Sequence, residues 1–463
     1  MGVNFSAFEI GRRALRANQL GLAVTGQNIA NVNTPGYARR QVQYSPTAGD
    51  STNLRQIGGD VTIDGIRALR NQFVETRLQT EKGITGRLEA KRDALAPVDA
   101  VFNDVNSPGG IHASLNGFFG AFRDLEAQPT SVSQRAVVAS KAEALTTAFH
   151  STRSRLTEIR TGADATLRST VDQVNTLSAK VADLNAKISI SENSGISTTD
   201  LRDQRVVVSN KLGELTGARA AEGSDGQVTL TLSDGRPLVV GIKSFSVEAT
   251  SAPPNGLATL TLEGKPVTFT DGQVRGLQDA IGEISKHITS LDQMAESLAG
   301  RVNTLHASGS DLNGNIGTNF FATPASGTVT AANIDISAAI KADPRLVVTA
   351  ANGAGSGDAT IARSLAGLLQ DETSVVGTQT GSYDSFYASL VTEAGLGVRS
   401  AEDALSTQQV ILTQTQAQRD SVSGVSLDEE AINLLQYQKA YEAAARFLKV
   451  ADEMTQTILS LAS

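Results

Sequence analysis

Histidine is the side chain most often recruited for metal binding or proton transfer near neutral pH, and this chain has four: His112, His150, His287 and His306. None lies within a helical turn of another, so no pair converges on one ion and ordinary packing or surface roles account for them. Asp311, Asn313 and Asn315 copy the first three ligand positions of an EF-hand loop. The sixth position of that loop requires Gly and the twelfth a bidentate Glu, and here they are Ile316 and Ala322, so calcium is not expected. Gly58-Gly59 lacks the strand, helix and acidic partner of a dinucleotide loop, and no Walker sequence occurs. Asp428, Glu429 and Glu430 are accounted for by their position at the start of a helix, where negative charge meets the positive end of the dipole. No Ser-His-Asp, paired-carboxylate or metal constellation is formed, so the chain reads as a non-enzyme without a cofactor.

The informative spacing is hydrophobic and sits at the two ends. Tyr437, Ala444, Ala451 and Ile458 fall seven apart, as do Ala440, Phe447, Met454 and Leu461, and Tyr441, Leu448, Thr455 and Ala462. Three adjacent apolar registers demand a neighbouring helix, because a lone surface helix would leave a broad apolar strip in water. Ser426 and Glu429 have capping-box spacing and mark its start. At the other end Phe8, Leu15, Leu22 and Ile29 recur every seven residues, preceded by a second capping box at Ser6 and Glu9 with Phe5 and Ile10 at staple positions. Gly11, Gly21 and Gly26 lie close to that stripe. Each costs about 1 kcal/mol relative to Ala within a helix, so their presence implies a close backbone approach. The helix should stop near Asn31, since Thr34-Pro35-Gly36-Tyr37 has the order of a type II turn.

Composition narrows the class. With 463 residues and 40% apolar content the chain can bury several cores, although 4% aromatics and no Trp leave the work to Ala, Val, Leu and Ile. A net charge of −8 argues against a nucleic-acid partner. There is no cysteine, which excludes disulfides and thiol chemistry. No apolar run is long enough to cross a bilayer and no cleavable leader is visible at the N-terminus, so a membrane partner is not expected and any export uses another route.

Between the ends, residues 66–106 read as helix with weak points at Gly83, Gly86 and Pro97, residues 110–127 as a shorter helix, and 132–190 as one long helix. Further helices are expected at 199–216, 277–306, 360–370 and 383–423. Val228, Leu230 and Leu232 alternate up to Asp234-Gly235, a hairpin signature, and a second strand pair flanks Glu263-Gly264-Lys265. The predicted fold is mainly α with an inserted β domain, elongated and multi-domain, with paired terminal coiled-coil helices and a long-helix bundle. Its divisions are an N-terminal assembly helix and turn (1–45), a first bundle part (46–217), a β insertion in two pieces (218–276 and 308–358) around a returning helix (277–307), a last bundle part (359–423) and a C-terminal assembly helix (424–463).

The run Asn28-Ile29-Ala30-Asn31-Val32-Asn33-Thr34-Pro35-Gly36-Tyr37 resembles the N-terminal signature of the bacterial flagellar rod, hook and hook-associated axial proteins. Other stretches resemble the hook-associated branch that forms the first layer of the hook-filament junction. These are Asp200-Leu201-Arg202-Asp203-Gln204-Arg205, Asn303-Thr304-Leu305-His306 onward through Phe320-Phe321, Ser423-Gly424-Val425-Ser426-Leu427-Asp428-Glu429-Glu430 and Gln436-Tyr437-Gln438-Lys439-Ala440-Tyr441. The resemblance implies terminal helices paired as an inner coiled coil around a channel, export through the flagellar type III apparatus to an extracellular flagellum, and no catalysis. It also implies partners: further copies of the chain, hook protein, a second junction protein, and an export chaperone gripping residues 424–463. Asn28, Asn31, Thr34, Pro35, Gly36 and Tyr37 are its motif residues.

Physical reasoning gives the ends a role of their own. Ordering them costs roughly 1–2 kcal/mol per residue, against roughly 1.5–3 kcal/mol for each large apolar side chain buried. Two helices packed only on each other leave much of the wide C-terminal face uncovered, so both ends are expected to be disordered in the free subunit and helical on assembly. The expected interface comprises Phe8, Leu15, Leu22, Ile29, Tyr437, Tyr441, Ala444, Phe447, Leu448, Ala451, Met454, Ile458 and Leu461. Two alternatives stand beside this reading: a hook or rod component, and an enzyme or ligand-binding module carried on the β insertion.

Overall fold

The long apolar stripe between residues 132 and 190 becomes a single helix that organises the body. A computed structural model describes residues 2–46, 61–102, 109–194, 196–253, 256–325 and 327–462, with side chains for all of these except 2–7, 46, 61, 459, 461 and 462. The helices are α1 (Gly2–Ala30), α2 (Gln72–Phe102), α3 (Ile111–Ala127), α4 (Val132–Asn193), α5 (Thr199–Thr216), α6 (Gly272–Ala307), the short α7 (Ala338–Ala342) and α8 (Thr360–Gly367), α9 (Tyr383–Ser423) and α10 (Leu427–Ala462).

Helix α4 is 62 residues long, and Ser131 caps it by accepting from the Gln134 amide at 3.3 Å. Its first half, from Val138 to Leu156, packs with α3 and α6 into one core, which also takes Leu95 and Phe102 of α2 and Tyr383 and Tyr387 of α9. Its second half, from Ala163 to Ala182, packs with α5 and the start of α6 into a second core beneath the β strands. The body is therefore two cores strung along one rod, in keeping with its mainly helical and elongated class.

Strands β3 (Arg219–Glu222), β4 (Val228–Thr231), β5 (Pro237–Val240) and β6 (Lys243–Ser244) form one antiparallel sheet, and β7 (Val247–Ala252), β8 (Leu257–Leu262) and β9 (Lys265–Pro266) another. The Asp234-Gly235 turn does join β4 to β5, with Gly235 at φ +85°. A hairpin near the N-terminus, β1 (Arg40–Pro46) with β2 (Val61–Ala68), has no counterpart among the sequence expectations.

Several boundaries move. Residues 66–68 belong to β2 rather than to a helix, because the strand pairing with β1 overrides local propensity there. Pro97 sits inside α2 without ending it. Helix α1 starts at Gly2, ahead of the Ser6 capping box, whose side chain lies outside the described residues, as does the Gly58-Gly59 stretch. Residues 308–358 do not complete the β domain. Phe320, Phe321, Ile334, Ile336 and Val348 join the helical core, where Phe320 packs against Phe118 of α3 at 5.7 Å, while β4, β5, β7 and β8 contribute only to the other core. Their short runs find helices to cover them, which two-residue strands cannot do for one another.

Candidate assembly interface

Asn28 closes the last turns of α1 and is 1% exposed, so its amide must find partners inside the protein. It finds four. Its Nδ2 donates to the Arg40 carbonyl at 2.9 Å and to Glu430 Oε2 of α10 at 3.1 Å, while its Oδ1 accepts from the Tyr37 hydroxyl and the Arg40 amide, both at 2.9 Å. The Thr34-Pro35-Gly36-Tyr37 turn carries Tyr37 back to this point, closed by Tyr37 N–H donating to the Thr34 carbonyl at 3.1 Å, with Gly36 at φ +80° as a type II turn requires. A Cβ on Gly36 would lie 2.2 Å from Val207 Cγ2. Asn31 donates to the Gln27 carbonyl at 2.9 Å and accepts from the Thr34 hydroxyl at 3.1 Å, which ends the helix. Thr34 and Pro35 are exposed.

The two arginines after the turn extend the network in opposite directions. Arg39 donates to Glu430 at 2.8 Å and Glu429 at 2.6 Å, and its amide donates to the Ser423 carbonyl at the end of α9. Arg40 lies 4.8 Å over the Tyr37 ring and donates to Asp200 and Asp203 of α5, each at 2.7 Å. Burial works against the Arg40 charge, but its hydrogen bonds to Asp203 and Asp200 outweigh it and raise its pKa. Arg70 also reaches Asp203, at 2.7 Å, and the Gly36 carbonyl at 2.8 Å; Arg419 of α9 donates to the Tyr37 carbonyl at 3.0 Å. The Asp200-to-Arg205 segment thus has two faces. Its aspartates hold the turn, while Arg202 and Arg205 bind Glu222 in the β region, and Arg205 adds Asn185 at 2.9 Å and the Gly226 carbonyl at 2.8 Å.

From this anchor α1 and α10 run antiparallel. Asn28 meets Glu430, a Cβ on Gly21 would lie 2.6 Å from Tyr437 Cε1, and one on Gly11 would lie 2.6 Å from Leu448 Cδ2. Gly11 and Gly21 are therefore there to let α10 close; Gly26 has open space around it. The Tyr44 hydroxyl donates to the Ala17 carbonyl at 3.4 Å, and burial, with Tyr437 beside it, pushes the Tyr44 phenol up to about 12.

The pairing divides the expected interface into two sets. Tyr437, Ala444 and Leu448 are half-buried and Ala451 is buried, in line with Glu430, Leu434 and Thr455 along the seam to α1. Phe8, Leu15, Leu22 and Ile29 are half-buried, while the tighter seam follows Gly11, Ala17, Gly21, Val24 and Asn28. Tyr441, Phe447, Met454 and Ile458 are exposed, Phe447 by 46% and Met454 by 60%, and the Leu461 side chain lies outside the described residues. Spacing alone did not separate the two sets, nor did it include Ile432, Leu435 and Val450, which are exposed on the same outer strip. Glu430 was legible only as a capping charge, although at 1% exposure it belongs to the anchor. The pairing also narrows one expectation. Both described ends are helical within a single chain, because the glycine seam lets them cover each other, and the outer strip of α10 stays exposed.

The other singled-out residues stay separate from this site. The His306 ring accepts from the Val348 amide through Nε2 at 3.0 Å and faces the Thr318 carbonyl through Nδ1 at 2.5 Å, which fixes it as the neutral Nδ1–H tautomer. Burial lowers its pKa to about 4. Asp311 spends its carboxylate on the Asn313 and Asn315 amides, both at 2.8 Å, and on the Asn315 side chain, so it closes a loop. His287 packs edge-on to Phe102, His150 pairs with the Ile334 carbonyl and His112 with Asp384. Among the described residues no group of acidic and histidine side chains is placed to hold a metal, and no helix is long and apolar enough to cross a membrane.

Comparison with known proteins places this architecture. Residues 95–321 match the family described as the flagellar hook-associated protein FlgK helical domain. Residues 8–37 match the flagella basal body rod protein family, and residues 416–461 the C-terminal family of the basal body rod FlgEFG proteins. Flagellar hook-associated protein 1 of Bacillus subtilis is 27% identical over 99% of both chains. Those of Salmonella typhimurium and Escherichia coli are 24% and 23% identical over 96% of this chain and 98% of theirs. The structure of the flagellar hook junction protein FlgK from Burkholderia pseudomallei shares the fold at a TM-score of 0.65 and 16% identity, covering 75% of this chain and 100% of that one. With the helical-domain match in the body, rod-type matches on the two paired ends and relatives aligned along nearly the whole length, the chain is similar to flagellar hook-associated protein 1 from end to end.

Proposed function

We propose that this protein is a non-enzymatic structural subunit of the bacterial flagellum, forming the junction between hook and filament and assembling through its terminal helices. The observation that carries this reading is the uncovered strip of α10: Ile432, Leu435, Phe447, Val450, Met454 and Ile458 are each more than half or nearly half exposed on a helix that already has one partner. A protein folding only for itself would place polar residues there. The partners proposed are further copies of the chain in a ring or helical layer, hook protein on one side and a second junction protein on the other. An export chaperone would cover residues 424–463 before assembly, and export would follow the flagellar type III route to the cell exterior.

Replacing both Phe447 and Met454 with Asp tests this. The variant should remain folded and soluble, with an unchanged body, and fail to join hook to filament. Junctions that still form with it would contradict the reading.

A further inference from the structure

Helix α10 carries two apolar faces, and the one turned inward is the less bulky. The seam to α1 uses Leu434, Tyr437, Ala444, Leu448 and Ala451, whereas the strip left in water offers Ile432, Leu435, Phe447, Val450, Met454 and Ile458. The centres of the two faces are about 120° apart around the helix. Hydrophobic burial alone does not select the observed face, because turning α10 about its axis would exchange one apolar face for another, burying Met454 and more of Phe447 against α1 while exposing Leu434, Tyr437, Leu448 and two alanines. Such a molecule would turn a different face to its neighbour and be unable to offer this strip.

Beside the notches at Gly11 and Gly21 that admit Leu448 and Tyr437, what distinguishes the two packings is polar. Glu430 shares the inward face with Tyr437, Ala444 and Ala451, seven residues apart, and is 1% exposed. It accepts from Asn28 of α1 and from Arg39 after the turn, partners separated from it by 402 and 391 residues of chain. Arg39 is fixed in its turn by its backbone N–H donating to the Ser423 carbonyl, and the neighbouring Arg40 by Asp200 and Asp203 on the body. Rotating α10 would withdraw a carboxylate from two donors in a buried site, an uncompensated loss, and buried polar groups of this kind set register in paired helices.

We infer that the Asn28–Glu430–Arg39 cluster is an orientation key: it fixes the rotation of α10 on α1 so that the Phe447–Met454 strip faces outward, in the state competent for assembly. Glu430 is thus a positioning residue, acting on the interface without being part of it. This rests on the reading of the outer strip as the assembly face.

The absence of cysteine makes the test direct. Single-cysteine full-length chains, Met454→Cys on the outer face and Ala451→Cys on the seam, are labelled with a maleimide in the unassembled subunit. In the parent background Met454→Cys should react about tenfold faster than Ala451→Cys, as expected for an open against a packed site. Adding Glu430→Ala should invert that order, with Met454→Cys protected and Ala451→Cys opened. Glu430→Gln, which keeps an oxygen for Asn28, should retain the parent order. An unchanged order in Glu430→Ala would overturn the inference. So would fast labelling of both sites in that variant, which would mean that α10 merely melts, or equal labelling in the parent, which would mean that the pair has no fixed face. An inverted order combined with normal junction formation would leave the key standing and sink the assembly reading of the strip.

Discussion

Gly36 shows how little freedom the turn allows. Its φ of +80° is unfavourable for any residue with a Cβ, and the space a Cβ would need is taken by Val207 of α5. Gly36→Ala should therefore cost roughly 1–3 kcal/mol of stability, read from urea unfolding. His306 gives a second residue-level expectation with a defined sign. Its folded pKa of about 4 lies below the ordinary imidazole value of 6.5, so between these pH values the unfolded chain binds the proton that the folded chain refuses. Stability from this group is complete above pH 6.5 and falls as pH drops toward 4, by on the order of 3 kcal/mol in all. His287, lowered by burial as well, acts in the same direction. A His306→Asn variant should be less stable than the parent at pH 7 and show a shallower decline over that window in chemical denaturation.

Between elements, glycines that look like faults in a helix turn out to be contact points. In α2, a Cβ on Gly86 would lie 2.4 Å from the Glu214 backbone carbonyl of α5, and one on Gly83 would lie 3.2 Å from the Gly213 carbonyl. Ala for Gly in a free helix is favourable by about 1 kcal/mol, so a simple propensity argument predicts that Gly86→Ala stabilises. The opposite is expected here: a backbone oxygen cannot swing aside as a side chain can, α2 must move off α5, and the melting temperature should fall. The joint between α5 and the turn is likewise an element-scale device. Asp203 receives both Arg40 and Arg70 with its side chain 13% exposed. Asp203→Asn leaves those two cations with Asp200 and Glu75 respectively, and should cost about 3 kcal/mol, visible as earlier loss of protection in β1 than in α4 by hydrogen exchange.

For the molecule as a whole, the described ends are attached to the body at one place, where the turn, β1, α5, α9 and α10 meet. The two cores along α4 make no use of α1 or α10. A chain ending at residue 424 should therefore keep its body folded, with a thermal transition close to that of the full chain by calorimetry, while failing to form the hook-filament junction. Loss of the body transition on truncation would show that the ends are structural for the subunit itself.

Much of this plan could be read from local pattern. Seven-residue spacing located both terminal helices, three-four spacing located α4, and Asp234-Gly235 located the hairpin, because such periodicities and turn preferences are properties of neighbouring residues along the chain. The order of Pro35 and Gly36 fixed the turn type, and the motif runs fixed the family resemblance. What pattern could not reach was contact between distant segments. Three apolar registers on α10 say that it wants neighbours, but not which register is spent on α1; that depends on Gly11 and Gly21 admitting Leu448 and Tyr437, and on Glu430 meeting Asn28 across 402 residues. The short strands after α6 were likewise ambiguous until Phe320 and Phe321 were seen among the aromatic rings of α3. Sequence alone determined which segments are helical and that the ends need partners. Tertiary structure decided which face remains free, because burial is shared among elements and a buried polar group accepts only the geometry that pairs it.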